Sequence, residues 1–353
     1  MNHNDGKPRI LITRLSALGD CILTLPLACA VRDHFPEAFV VWIVEPLAAQ
    51  IIDEHPAVDE FIVVPKGWFK SHERVRGLRR QLRAKRFDTV LDPQSLTKSS
   101  LLGWLSGAPR RIGFASPRGR ELAGWLNNER VDAEPAHLVD DTLKLLGPLG
   151  IERAAVRFDV PAWGGLESRL VQYTKQAHLS EGYAIISCAA SWPGKRWPAE
   201  RFGRVARHLG EQRGLTSVVT WAGREEAAIA NQIVAKSGGH AIPAPSTSLR
   251  ELTILQRYAS LVIGADTGPL HLAAAVGTPC VGLYGPTRGE RSGPYGSRHR
   301  VVQSDMLPIR NRRRRRLDDS AMRRIQVEAV CEACEELLYP LSRWHGLPQA
   351  KAA

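Results

Sequence analysis

Three short polar segments, each following an apolar run, hold the residues best suited to chemistry. The first is Ser16-Ala-Leu-Gly-Asp20, the second is the tryptophan-rich stretch 191–198 around Lys195, and the third is Asp266-Thr-Gly-Pro-Leu-His271. They supply a carboxylate, an ammonium group and a carboxylate with an imidazole. Such groups at strand ends suit proton transfer and the binding of an anionic ligand.

The third segment is the most specific of the three. An apolar run ends at Gly264, and a tight turn then leads to a helix that Pro269 can start. Thr267, Gly268 and the first helical amides can together hold phosphate oxygens. His271 lies on the first turn near the same ligand, and Asp266 either serves a sugar hydroxyl or orients the turn. The alternative is a capping motif with a core histidine.

The second segment places a cation in a loop shaped by Pro and Gly. Lys195 precedes the helix that Pro198 would start, and a cation there can neutralise a leaving diphosphate. A solvated loop lysine is the alternative. The flanking Trp192 and Trp197 favour an ordered loop.

Two carboxylates have competing interpretations. Asp20 follows a Gly-bearing turn and is either a catalytic base or a helix-capping group. Because the turn lacks the full G-x-G-x-x-G pattern, it does not indicate a dinucleotide site. Glu226 follows Trp221-Ala-Gly223 and can accept the hydroxyls of a ribose, although glutamates are common at helix starts for dipole reasons.

Basic residues concentrate in the first half of the chain. Four arginines at i, i+3, i+4 and i+7 line one face of a predicted helix: Arg76, Arg79, Arg80 and Arg83. Other cations of this half are Lys66, Lys70, Lys98, Arg110, Arg111, Arg118 and Arg120. A solvated charged face is the default interpretation of such a helix. Because the cations concentrate in one half, the pattern favours a site for a phosphorylated, acidic ligand.

Short β-branched runs alternate with helical stretches, which is typical of parallel sheets with crossover helices. Strands are predicted at 9–13, 39–44, 61–64, 88–91, 183–188, 217–221, 261–264 and 280–284. Helices are predicted at 19–34, 73–85, 199–212, 225–236, 249–258, 269–276 and 327–338. The Pro- and Gly-bearing stretch 158–165 is the best boundary between two doubly wound units, which predicts a ligand cleft between them.

Composition narrows the class of protein. The 353 residues suffice for two domains, and 44% hydrophobic with 24% charged residues is typical of a globular chain. No secretory signal and no 18-residue apolar run is evident. Six cysteines give no disulfide or zinc framework, which fits a reducing compartment. A net charge of +12 indicates an anionic partner, and we weigh nucleic acid, anionic lipid and a phosphorylated ligand.

With these segments in place, the chain resembles the heptosyltransferase family of lipopolysaccharide inner-core synthesis, from about Arg9 to Leu338. Four segments in order carry the resemblance: Ser16 to Asp20, Asp92-Pro-Gln-Ser-Leu-Thr-Lys-Ser99, Lys195-Arg-Trp-Pro198 and Asp266 to His271. The resemblance implies a GT-B architecture, in which two Rossmann-like domains face a central cleft. It assigns 1–160 to the acceptor, 161–325 to the nucleotide sugar, and 326–353 to a C-terminal helix and tail.

The resemblance also implies roles and partners. Asp20 matches the general base, while Lys195, Glu226, Asp266, Thr267, Gly268 and His271 match the donor site. Lys98, Arg120 and the arginines of the predicted helix lie where the acceptor is expected. The implied donor is ADP-heptose and the implied acceptor a phosphorylated Kdo-lipid A type saccharide, with inversion and with no cofactor or metal. A cytoplasmic location, peripheral on the inner face of the inner membrane, would follow, with no nucleic acid as partner.

Some residues depart from the family pattern. Ser95 stands where Gly is usual, the order Ala222-Gly223 is altered, and the arginine run from Arg312 to Arg316 is not a family feature. The segment 92–99 resembles the first heptosyltransferase more than the second. Two alternatives stay open: a GT-B enzyme for another nucleotide sugar, and a basic nucleic-acid-binding protein, although no known nucleic-acid-binding motif is present.

Overall fold

The computed structural model describes residues 6–179, 181–305 and 316–339, and it divides into two compact units. The first unit is Met1–Pro161 and the second is Ala162–Ala353. Each is a doubly wound α/β unit, so the predicted class of two Rossmann-like units is confirmed.

The first unit is built on a six-stranded sheet in the order β3-β2-β1-β4-β5-β6, with every neighbouring pair parallel. The strands are β1 (Arg9–Thr13), β2 (Phe39–Val44), β3 (Glu60–Val63), β4 (Thr89–Asp92), β5 (Arg110–Phe114) and β6 (Glu129–Val131). The helices are α1 (Leu18–Ile22), α2 (Leu25–His34), α3 (Pro46–Ile52), α4 (His72–Ala84), α5 (Thr97–Ser106), α6 (Ala123–Leu126) and α7 (Leu138–Leu143). Short 3-10 helices cover Trp68–Lys70 and Lys144–Leu149.

The second unit repeats this plan with a sheet in the order β12-β11-β10-β7-β8-β9, again all parallel. Its strands are β7 (Tyr183–Ser187), β8 (Thr216–Thr220), β9 (Ala241–Pro243), β10 (Leu261–Ala265), β11 (Cys280–Tyr284) and β12 (His299–Gln303). Its helices are α8 (Glu167–Gln176), α9 (Ala199–Arg213), α10 (Gly223–Lys236), α11 (Leu249–Arg257), α12 (Gly268–Ala275), α13 (Gly289–Ser292), α14 (Ser320–Arg324) and α15 (Val327–Leu338). A 3-10 helix covers Pro193–Lys195.

Central strands are buried on both faces, which is why their sequences are nearly continuous apolar runs. In the first unit, Leu82 of α4 and Leu102 of α5 pack with Leu11 and Val90 of the sheet. In the second unit, α15 completes the core through residues such as Val330. This parallel arrangement collects the carboxyl ends of β1, β4 and β5 at one edge, and those of β7 and β10 at another.

One stretch that was predicted as a single helix is interrupted. The predicted helix 19–34 is two helices, α1 and α2, separated by Leu23 and Thr24. Pro26 is the cause, because it lacks an N–H donor and is accepted only in the first turn of a helix, where it stands in α2.

Several elements were not predicted. These are strands β5, β6, β9 and β12 and helices α3, α5 and α8, together with the shortest helices. Ser320–Arg324 is also helical, although no helix was predicted there.

The arginine run and the question of a membrane-spanning segment can be followed into the structure only in part. Most of the run from Arg312 to Arg316 lies outside the described residues, and only its last member is placed, exposed. In the described ranges, none of the helices combines the length and the apolarity that a bilayer crossing requires.

Candidate active site

The turn after β10 gathers the buried polar groups of the second unit. Asp266 and Thr267 follow the strand, and α12 begins at Gly268 with Pro269 in its first turn. The first intrahelical bond is donated by the Leu270 N–H to the Thr267 carbonyl, so the amides before it have no partner within the helix. A helix that starts in this way directs N–H donors and its positive dipole end at one point.

Lys195 is drawn into this turn from the loop after β7. Its Nζ lies 2.6 Å from Asp266 Oδ2 and 2.8 Å from the Asp266 carbonyl oxygen, and it also lies 5.2 Å from the ring centre of Trp192. Because Lys195 is buried, the alternative of a solvated loop lysine does not hold. Arg196 turns the other way and pairs with Glu225 at 2.6 Å.

His271 completes the cluster from the first turn of α12. Its Nε2 donates to Asp266 Oδ1 at 3.2 Å. Its Nδ1 is buried and has no hydrogen-bond partner among the residues that the structure describes. A buried, unpaired ring nitrogen is costly to a fold, so His271 has capacity for one more polar contact.

The Asp266 carboxyl is stabilised in its charged form. Its burial raises the pKa, but the hydrogen bond from His271 and the charge of Lys195 outweigh burial and hold the pKa well below the ordinary 3.8. Asp266 therefore orients both Lys195 and His271. The turn, Lys195 and His271 form a cluster of donors able to bind the oxygens of an anionic ligand.

Glu226 caps its own helix in this structure. Its carboxylate accepts from the Ala222 N–H at 2.8 Å at the start of α10. Half-burial raises the pKa of Glu226, and that bond opposes the rise. Glu226 thus lies at a helix start, as in the alternative to a ribose site, and the ribose contact stays a prediction.

Asp20 lies in the first turn of α1, within the first unit. Its Oδ2 accepts from the Ala17 N–H at 3.2 Å and pairs with the Arg14 guanidinium at 3.0 Å. The Arg14 side chain is almost wholly buried and also donates to the Pro93 carbonyl at 2.8 Å. Asp20 thus caps its turn and keeps a partly exposed carboxylate at the carboxyl end of β1.

Lys98 reaches the same loop from α5. Its Nζ donates to Ser16 Oγ at 2.9 Å and to Glu45 Oε1 at 3.2 Å. In addition, the Leu15 N–H donates to Gln94 Oε1 at 3.0 Å. The loops that follow β1 and β4 are therefore joined, and they bring Asp20 and Lys98 to one edge of the sheet.

Arg120 joins this edge through Ser95. The Arg120 N–H donates to the Ser95 carbonyl at 3.1 Å, and the Arg120 side chain is exposed. Ser95 has a φ of 47°, in the left-handed region that favours glycine, which explains why a Gly would fit there. Ser95 Oγ donates to the Asp92 carbonyl and accepts from the Phe114 N–H at 2.8 Å.

The arginines of α4 are exposed along the whole helix: Arg76, Arg79, Arg80 and Arg83. A helix of 13 residues is about 20 Å long, so they do not converge on one point. Arg83 packs over Gly107, where α5 ends. Three other basic residues of the first unit are engaged in contacts within that unit. Arg110 pairs with Glu129, and Arg111 donates to backbone carbonyls. Arg118 pairs with the buried Asp141.

Two residues that orient candidate site residues were not predicted from the sequence. Arg14 and Glu45 orient Asp20 and Lys98, respectively. Their position directly after strands β1 and β2 was the available signal, because strand ends collect at one edge. In the described ranges, no three His, Cys, Asp or Glu side chains are grouped so that they could hold a metal ion.

Comparison with known proteins identifies relatives along most of the chain. Residues 75–320 match the family described as "Glycosyltransferase family 9 (heptosyltransferase)". The lipopolysaccharide heptosyltransferase 1 of Salmonella typhimurium is 29% identical over 298 residues, which are 82% of this chain and 92% of that protein. The lipopolysaccharide core heptosyltransferase OpsX of Haemophilus influenzae is 27% identical and aligns over 83% of both chains.

Solved structures agree. A glycosyl transferase of family 9 from Veillonella parvula has a TM-score of 0.80 at 25% identity and covers 94% of this chain and 97% of that one. The E. coli heptosyltransferase WaaC with ADP-2-deoxy-2-fluoro heptose has a TM-score of 0.72 at 26% identity, with 93% and 99% covered. These likenesses confirm the GT-B fold. The chain is a glycosyltransferase, and it belongs to glycosyltransferase family 9, the heptosyltransferases.

Proposed function

We propose that the chain transfers a heptose from ADP-heptose to a Kdo-lipid A type acceptor in lipopolysaccharide inner-core synthesis. Family membership and relatives named as lipopolysaccharide heptosyltransferases support the reaction. The similar WaaC structures contain ADP or ADP-2-deoxy-2-fluoro heptose, which supports the donor. The observation that carries the proposal is the buried cluster of Lys195, Asp266 and His271 at the start of α12.

On the donor side, this cluster receives the diphosphate. The amides of Thr267 and Gly268 bind phosphate oxygens, and Lys195 neutralises the charge that grows as ADP leaves. Asp266 holds Lys195 and His271 in place. Glu226 binds the ribose in exchange for its bond to the Ala222 N–H. No metal ion is needed in this scheme, because fixed donors perform the neutralisation.

On the acceptor side, Asp20 removes the proton of the attacking hydroxyl. The oxygen bonds to the anomeric carbon as the bond to ADP breaks, so a single displacement inverts the configuration. Arg14 keeps the carboxylate oriented. Lys98 and Arg120 bind the acidic groups of the acceptor, and the arginines of α4, which do not converge on one point, attract its lipid-linked, phosphorylated part over a longer surface. Because that acceptor is lipid-linked, the protein works at the inner face of the inner membrane.

Asp20→Asn tests the proposed base. We expect kcat to fall by about a hundredfold to ten-thousandfold, with ADP binding unchanged, because the amide cannot accept the proton. The matched control is Asp59→Asn, which removes a carboxylate of equal exposure, 39% against 38%, paired with Arg32 instead of Arg14. Near-normal turnover of Asp20→Asn would remove Asp20 from the mechanism.

Chelation tests the metal-free scheme. Transfer should persist in excess chelator, since Lys195 and the α12 amides supply the neutralising groups. Loss of transfer that magnesium restores would contradict this part of the proposal.

A further inference from the structure

The outer surface of three neighbouring helices in the first unit exposes large apolar side chains. Helix α4 packs beside α5, and α5 beside α6. Trp125 is 89% exposed and Leu122 is 57% exposed, both on or next to α6, and Trp104 of α5 is half-exposed. We refer to Trp104, Leu122 and Trp125 as the tryptophan patch. Exposed aromatic side chains of this size indicate a surface that meets a partner.

The patch is held on a fixed support. Leu122 donates its N–H to Thr97 Oγ1 at 3.2 Å, and Asn127 Nδ2 donates to Ser100 Oγ at 3.2 Å. These bonds place α6 against the first turns of α5, one turn before Trp104. Asn127 also donates to the wholly buried Asp92 at 3.1 Å. Trp125 is therefore presented to the outside by an element tied to the centre of the sheet.

Positive charge concentrates on α4, which packs beside the helix that carries Trp104. The segment 66–86, which includes α4, has nine Lys and Arg residues against one acidic residue, Glu73. Beside the patch, Arg130 donates to the Gly124 carbonyl of α6 at 3.3 Å and stays exposed. Among the described residues, the exposed arginines of α4 and Arg130 make no ion pair that would neutralise them.

The spread of the charge argues for the kind of partner. A single phosphate would call for converging cations, whereas the α4 arginines are distributed over about 20 Å. A bilayer with anionic headgroups presents many charges in a plane, and tryptophan favours the boundary between headgroups and acyl chains. A second copy of this chain would bring equally basic surfaces together, which is unfavourable.

We propose that the tryptophan patch and the basic face of α4 together form the surface by which this protein docks on an anionic membrane. The inference rests on the proposed function, because a lipid-linked acceptor is what such docking would bring within reach. Trp125 and Leu122 insert at the headgroup boundary, and the arginines contribute a salt-sensitive attraction. The inserted apolar side chains and the basic helix face together suffice for reversible peripheral binding.

Cosedimentation with vesicles tests this surface in the full-length protein. We compare the double variant Leu122→Ser/Trp125→Ser with the wild type on vesicles of equal parts phosphatidylglycerol and phosphatidylcholine. We expect the partition coefficient of the variant to fall by about tenfold or more, because two apolar side chains leave the interface. Wild-type binding should weaken on pure phosphatidylcholine and at high salt.

The matched control exchanges exposed apolar residues of the second unit. Leu317 is 67% exposed and Tyr339 is 75% exposed, so Leu317→Ser/Tyr339→Ser removes comparable surface elsewhere. The control should bind vesicles as the wild type does. The proposal fails if the patch variant binds normally or if the control loses as much binding. It also fails if the wild type is a dimer without lipid that the patch variant converts to a monomer.

A second readout separates this inference from the proposed function. Transfer to a deacylated, water-soluble acceptor needs no membrane, so the patch variant should retain wild-type kcat there, which also shows that it is folded. Loss of that kcat would contradict a docking role. If the wild type shows patch-dependent vesicle binding but no transfer to either acceptor, the docking surface stands and the proposed reaction falls.

Discussion

Lys195 carries its charge inside the protein, whereas the next residue, Arg196, carries its charge at the surface. The side chains of the Lys195–Asp266 pair are nearly 90% shielded, whereas those of Arg196 and Glu225 are 36% and 70% exposed. Removing one partner of a buried pair leaves an uncompensated buried charge, which is far costlier than losing an exposed pair. This contrast between neighbours allows the cluster to be tested for stability as well as for activity.

We predict that Lys195→Met lowers the free energy of unfolding by about 3 kcal/mol or more, because Asp266 loses its ammonium partner. Arg196→Ala should lower it by at most about 1 kcal/mol. Urea unfolding of both variants measures the difference. Equal losses in the free energy of unfolding would show that burial does not strengthen the Lys195–Asp266 pair.

The lowered pKa of Asp266 predicts a pH dependence with a definite sign. A carboxyl whose pKa is below its unfolded value contributes stability above the unfolded pKa, and it loses that contribution as pH falls. The stability difference between wild type and Asp266→Asn should therefore be full above the ordinary value of 3.8 and shrink below it. Unfolding free energies measured across this range check the prediction. A difference that grows on acidification would contradict it.

The residue types in short segments indicated most of the candidate site residues, but not the residues with which they form ion pairs and hydrogen bonds. Asp266 and Lys195 were both singled out, yet they are separated by 71 positions and meet only because β7 lies beside β10. Pairing across strands depends on sheet order, which periodicity does not report.

At the scale of elements, the loop between β4 and α5 holds a strained backbone that side-chain hydrogen bonds stabilise. Ser95 adopts a left-handed backbone at φ 47°, which is unfavourable for any residue with a Cβ, and its hydroxyl compensates with two hydrogen bonds. Through Gln94 and the Ser95 carbonyl, the same loop contacts Leu15 and Arg120, so its shape positions the edge at which Asp20 and Lys98 lie.

Substitution of Ser95 should therefore reverse the usual ranking of alanine and glycine. We predict that Ser95→Ala is less stable than Ser95→Gly by about 1 kcal/mol, since both lose the hydroxyl and only Gly relieves the backbone. Ser106, another buried serine, ends the helix α5, so there Ser106→Gly should be the less stable variant. Thermal unfolding of the four variants checks this ranking. A Ser95→Gly variant less stable than Ser95→Ala would refute it.

The elements that were predicted and those that were missed differ in a physical respect. Central strands such as Phe39–Val44 are buried on both faces and read as continuous apolar runs. Strands such as Glu129–Val131 are short, polar and at the edge, where packing does not demand apolar residues. Helix α5 was missed because Ser and Gly, which have low helical propensity, interrupt its apolar pattern.

At the scale of the whole molecule, two units of the same plan hold different chemistry. The cluster around Asp266 lies within the second unit, and the Asp20 edge lies within the first. Each group of side chains is held by hydrogen bonds within its own unit, so the proposed donor and acceptor sites can be tested separately.

We predict that ADP alone slows amide hydrogen exchange at the start of α12 and in the loop that holds Lys195. The β1–α1 loop should not respond, because its groups belong to the other unit. Thermal shifts should rank ADP above UDP and GDP, and a nucleotide at a hundred times its Kd would add about 2.7 kcal/mol. A larger shift with UDP or GDP would indicate another nucleotide sugar. Salt-sensitive RNA or DNA binding without any nucleotide shift would favour the nucleic-acid alternative.

The bond from Arg14 to the Pro93 carbonyl has a consequence for how this protein emerges from the ribosome. Both residues flank central strands, and 79 positions separate them. Until β4 has been synthesised, the carboxylate of Asp20 has neither its fixed guanidinium nor the loop that presents Lys98. A nascent chain that has completed only its first three strands therefore contains Asp20 without the contacts that fix it at the edge of the sheet.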